Sequence, residues 1–209
     1  MGLLFPLHII SSFSAIIPLS AGAGRYSRLR PEAKLLLILF GLTVVFEAYG
    51  FYCGQTKQNV YWLFHIYTPL EYSLLMVVFS IWQKNAVLAR ALRLSIVVFA
   101  IICIVNALIP DSLTRMNSFT ISLSCIVYTL VSAVTLISLK KADFGNISKD
   151  MRFWVSSGLL VYSSGSLAFF VFFPLIAQSY LVTVWAVYSV INIFAYVLFG
   201  IGFLCQCQQ

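Results

Sequence analysis

The chain has 209 residues, 61% of them hydrophobic and only 9% charged, whereas soluble domains average about 45–50% and about 25%. Thirteen basic and six acidic side chains cannot cover a soluble fold of this size, and an aromatic content of 16% excludes a disordered chain. The composition is that of an integral membrane protein, so the net charge of +7 is read against anionic headgroups and not against nucleic acid.

Seven apolar runs separated by polar breaks cover residues 3–22, 35–53, 60–82, 94–109, 118–139, 153–174 and 180–204. Most approach the roughly 20 residues with which a helix crosses about 30 Å of hydrocarbon. The first run carries small residues near its end (Ser20, Ala21, Gly22, Ala23) but lacks the basic start of a signal peptide, so a retained helix is expected. Before the second run, Pro31 and Glu32 form a good first-turn pair. Pro69 inside the third run frees a backbone carbonyl and is expected to bend the helix. The fourth run is short and borrows a turn from residues 86–93, and Pro110-Asp111-Ser112 closes it. Residues 142–149 read as a polar turn around Gly145 and Asn146. The break at 175–179 is so brief that the sixth and seventh runs must be antiparallel neighbours. A β-barrel would need strands of about 10 residues with strict alternation, which these runs lack. The expected fold is all-α: one seven-helix transmembrane bundle over residues 1–209, without a visible inverted repeat.

Basic residues set the orientation. One side receives Arg25, Arg28, Arg30, Lys34, Lys84, Arg90, Arg93, Lys140, Lys141, Lys149 and Arg152, and the other receives only Lys57 and Arg115. The positive-inside rule then puts the N-terminus outside and the C-terminus in the cytoplasm. Five cysteines are read as unmodified thiols, with lipidation conceivable only at the juxtamembrane Cys205 and Cys207.

Ionisable groups within a bilayer are costly, about 2.5–3.5 kcal/mol for a central charge on insertion scales, so each raises a functional question. His8, Glu47 and His65, from three consecutive runs, lie about 7–9 Å below the outer boundary at 1.5 Å per residue. They are expected to converge on one outward-opening pocket, together with Tyr49, Trp185 and Tyr188. His8 shares a stripe with Ser11 and Ser12. Glu71 lies about 16 Å deep, offset by about 120° from His65 on the same helix. It is expected to form a buried polar core with Tyr162, Ser163 and Asn192, taking a hydrogen bond from one of those or from Tyr128. Hydroxyls and small residues on the fifth and sixth runs, including Gly158 and Gly165, read as helix-packing positions.

Missing motifs narrow the function. The seventh run has no lysine for a retinal Schiff base, and two histidines without an intramembrane aspartate fall short of the zinc site of seven-helix hydrolases. No cofactor and no metal site is expected.

Two stretches, residues 62–71 (WLFHIYTPLE) and 153–165 (FWVSSGLLVYSSG), resemble small seven-helix membrane proteins of Bacteroidetes-type bacteria. The resemblance implies a bacterial inner-membrane location and carries no chemistry. The helix plan resembles that of rhodopsins and receptors in layout alone. The reading is a non-enzymatic sensor or accessory module in the bilayer, with a possible small-molecule ligand at the outer pocket, a separate protein partner and no nucleic acid. Its alternatives are a solute or proton carrier using Glu71, a lipid-modifying enzyme, and a purely structural subunit.

Overall fold

The computed structural model describes residues 4–114, 117–140, 147–172 and 181–206. Arg115, Lys141, Cys207, the turn expected around Gly145 and Asn146, and the break at 175–179 lie outside them. The described residues contain no strand. Among the described residues eight α-helices follow in order: α1 Leu4–Phe13, α2 Ile16–Ala23, α3 Pro31–Gln55, α4 Tyr61–Trp82, α5 Ala86–Ala107, α6 Ser118–Lys140, α7 Met151–Phe172 and α8 Leu181–Gln206. The last six are long and apolar enough to cross a membrane. In their most apolar stretches only 17% (α5) to 50% (α8) of residues are buried inside the protein. Outward-facing apolar surface on that scale is stable only against lipid, which makes this a multi-pass membrane protein.

Local chemistry explains the ends. The first apolar run is split at Ser14-Ala15 because Pro18 offers no N–H to the Ser14 carbonyl and its ring clashes there. Ile17 N–H takes that carbonyl instead, at 3.0 Å. Helix α3 starts on Pro31 and Glu32. It ends in a Schellman turn, with Gln58 N–H on the Cys53 carbonyl, Lys57 N–H on the Gly54 carbonyl, and Lys57 at φ 55°. Asn85 caps α5 by accepting from the backbone N–H groups of Val87 and Leu88.

Six segments close into a ring, with the α1–α2 pair followed by α3, α4, α6, α7, α8 and then the pair again. Helix α5 lies outside this ring, packed chiefly on α4. The Tyr72 ring stacks on Phe99 at 4.0 Å, and its hydroxyl donates to Ser95 at 3.0 Å. The outer side of α5 shows Leu94, Val98, Ile101, Val105 and Leu108 to the surroundings, a lipid-facing stripe at helical spacing. Helices α7 and α8 touch closely at Gly158 and Gly165. A Cβ on Gly158 would lie 2.8 Å from the Phe199 ring, and one on Gly165 2.7 Å from Ile191. On α6, Thr129 shares a hydrogen bond of 2.9 Å with Ser163, so Ser163 joins α6 to α7 as a packing contact.

Partners at the loops identify the two ends of the bundle. At one end, the Arg152–Asp150 pair stands near Arg30 and Glu32, and the Cys205 thiol reaches the Ser148 carbonyl. At the other, Asn59 bonds the Leu113 carbonyl and Asn106 donates to Asn117. The apolar core fills the first half, where Leu36, Phe40, Met76, Phe79, Val155 and Phe203 pack with almost no exposure.

Candidate functional site

The half of the bundle beyond that core is hollow. A cavity of about 400 Å³ occupies the centre of the ring, and every ring helix except α2 contributes to its wall. On α3, Thr43, Phe46, Glu47, Gly50 and Gly54 recur at three- and four-residue steps and form one face. On α4 the corresponding face is Phe64, Tyr67, Thr68 and Glu71, with Val60 just before the helix. Helix α1 adds His8, Ser11 and Ser12, and α6 adds Ser124, Cys125 and Tyr128. Tyr162 of α7 and Trp185, Tyr188, Asn192 and Tyr196 of α8 complete the wall. The wall runs out to the exposed residues Gly54 and Gln55, so the cavity opens at the end where α3 stops. It stops at Glu71 and Tyr196, above the apolar core.

The polar groups are tied together across helices. Thr43 Oγ1 donates to the Leu39 carbonyl at 2.9 Å and lies 2.8 Å from the Tyr67 hydroxyl, which bonds Glu71 Oε1 at 3.2 Å. Glu47 has the Ser12 hydroxyl as its hydrogen-bonding neighbour, and the two carboxyl groups lie within electrostatic reach of each other. Asn192 Nδ2 donates to Ser11 Oγ at 3.0 Å and to the Ser11 carbonyl at 3.3 Å, fixing α8 to α1. At the mouth, His8 stands against Trp185 with ring centroids 5.6 Å apart, and Tyr188 stacks on Phe169 at 4.8 Å.

Several expected site residues meet here and others do not. His8, Glu47, Trp185 and Tyr188 share the cavity wall, and Glu71, Tyr162 and Asn192 lie deeper in the same space. His65 is not in the wall. Its Nε2 points to the Ser112 carbonyl at 3.1 Å and its Nδ1 faces the Asn117 amide at 3.5 Å, so it fastens the α5–α6 loop to α4. Tyr49 is also outside, exposed among Tyr52 and Trp62 as part of an aromatic belt. The hydrogen bond to Glu71 comes from Tyr67, one turn back on its own helix, and not from Tyr162, Ser163, Tyr128 or Asn192. Glu71 also shares the space of Glu47, although a separate neighbourhood was expected for it. Thr43 and Phe46 belong to the wall without having been singled out, and their spacing from Glu47 was the available signal.

Among the described residues no group of three or more His, Cys, Asp or Glu side chains is placed to hold a metal ion. Fold and cavity together define a helical multi-pass membrane protein with a central space open at one end. No protein-family model matches the chain, and no characterised protein or solved structure shows significant similarity to it.

Proposed function

We propose that the protein is a ligand-sensing module of the bacterial inner membrane, non-enzymatic and working through a separate partner protein. The N-terminus and cavity mouth face outward, and the basic loops and C-terminus face the cytoplasm, following the charge bias. The observation that carries the reading is the cavity that opens at one end and is stopped halfway by a tightly packed core. A ligand entering it touches all the ring helices except α2 and can shift their packing, while nothing passes through. The test is a cysteine at Ser12, compared with the parent chain in oriented vesicles. A membrane-impermeant thiol reagent should modify it from the mouth side only, and purified protein in liposomes should pass neither protons nor small solutes.

One observation favours a carrier as the second reading. A void of about 20 Å³ lies directly beyond Glu71, bounded by Thr43, Tyr162 and Tyr196 above and by Val155, Leu159 and Phe199 below. It is large enough for about one water and extends the cavity line past the carboxyl. Proton or solute flux that disappears in Glu71→Gln would establish that reading in place of the sensor.

A further inference from the structure

We propose that the cavity takes a small organic cation, an ammonium group on an apolar body, with Glu47 holding the ammonium. The proposal rests on the ligand-binding reading above and names its ligand class. Two carboxyl groups share the wall, and among the described residues no lysine or arginine joins them there. An anion in so apolar a place needs a partner. Glu71 has the Tyr67–Thr43 chain, whereas Glu47 has only a serine hydroxyl.

A second, independent observation points to an occupant. The Tyr128 hydroxyl is completely buried on the cavity wall without a hydrogen-bond partner, and so is Asn192 Oδ1, whose amide nitrogen is already committed to Ser11. Buried polar atoms are nearly always paired, so two unpaired acceptors on residues of one cavity wall leave bonds that an occupant's donors would complete once the side chains turn to meet it. Asn192 Oδ1 accepts hydrogen bonds, as do ionised carboxyl groups, the Tyr128 oxygen can accept as well as donate, and an ammonium group is a pure donor. The rest of the wall suits the apolar body, because it includes the aromatic side chains Phe46, Trp185 and Tyr188, and aromatic rings attract a cation. The volume of about 400 Å³ falls within the range of small-molecule sites. An anionic ligand would meet two carboxyl groups, with no lysine or arginine among the described wall residues to balance them.

The test compares three probes of one shape on the full-length protein in nanodiscs at neutral pH: 2-phenylethylammonium, 2-phenylethanol and phenylacetate. Affinity is read from tryptophan fluorescence and from thermal stabilisation. The ammonium should bind at least about tenfold more tightly than the alcohol, with phenylacetate weakest. In Glu47→Gln that preference should collapse while the alcohol binds as before, and in His65→Leu, outside the cavity, it should persist. If Glu47→Gln does not fold, the order of the three probes on the unmodified chain still decides. An alcohol or acid that binds as well as the ammonium overturns the cation and leaves the binding cavity standing. Three probes that all fail at millimolar concentration overturn both.

Discussion

The tautomer of His65 follows from its neighbours. The Asn117 side-chain N–H faces Nδ1 at 3.5 Å, which leaves Nδ1 unprotonated and puts the ring proton on Nε2, where it donates to the Ser112 carbonyl at 3.1 Å. Asn106 donates to Asn117 Oδ1 at 2.9 Å, which fixes the Asn117 amide in the orientation this requires. His65→Leu should therefore lower stability by about 1–3 kcal/mol, the cost of leaving buried polar partners unmatched. Thermal unfolding in detergent measures that loss, and ligand affinity in the same variant should be unchanged. A variant with full stability and lost binding would return His65 to the site. The depth of His65 was legible in the sequence, since counting residues from a helix end gives height in the bilayer. Its direction was not. Six residues separate it from Glu71, so only one of the two can face the cavity, and nothing in an apolar run says which. The Phe64–Tyr67–Glu71 stripe wins because Tyr72, seven residues on from His65, is engaged by Ser95 and Phe99 of α5.

At the scale of an element, the start of α7 shows how one side chain sets a helix end. Asp150 Oδ1 accepts from the Arg152 backbone N–H at 2.8 Å, an N-cap bond, and the carboxylate also holds the Arg152 guanidinium at 2.6 Å. Burial works to raise the Asp150 pKa. The Arg152 hydrogen bonds and the charges of Arg152 and Arg30 outweigh it and hold the carboxyl below the ordinary carboxylate range. A carboxyl lowered in the folded state adds stability that is fully present above its unfolded pKa of about 3.9 and fades as pH falls through the lower folded value. Asp150→Asn keeps the cap and loses the ion pair, so it should cost about 0.5–1 kcal/mol at neutral pH. Asp150→Ala loses both and should cost about 1–2 kcal/mol. The difference between the unmodified chain and Asp150→Asn should shrink below about pH 4, where the unfolded carboxyl is protonated. Denaturation curves at neutral pH and in acid check the sign, and a gap that widens in acid would refute it. Most helix bounds were legible because apolar runs end where charges begin. Helix α5 departs from that rule, starting at Ala86 and carrying Arg90 and Arg93 inside it. The Arg93 Nε reaches Ser80 at 3.1 Å, so the long side chain stays polar at its tip while its stem lies along the bundle. The split at Ser14-Ala15 was not legible from hydropathy, because Pro18 acts through a missing N–H and not through polarity.

For the whole molecule, the ring with α5 outside could not be derived from the sequence, since seven similar apolar runs admit many circular orders. The charge bias could, and under the positive-inside rule it would turn the cavity mouth outward. Near the basic end lie Arg25, Arg28, Arg30, Lys34, Lys84, Arg90, Arg93, Lys149 and Arg152, while Lys57 stands by the mouth. Each such residue near an anionic cytoplasmic leaflet is worth about 1 kcal/mol, so nine against one favours the proposed orientation, with the basic end in the cytoplasm. A cysteine at Ser148, exposed in the 3-10 turn before α7, should be labelled by an impermeant reagent only from the cytoplasm. One at Gln58, exposed just past α3, should be labelled only from outside. The two positions lie at opposite ends of the bundle, so they must give opposite results. Reversed labelling at both would leave every distance in the cavity unchanged and turn its mouth to the cytoplasm. The ligand would then come from the cell interior, and the basic end would face outward. Labelling of either position from both sides would mean mixed insertion and would refute the single orientation proposed from the nine-to-one bias.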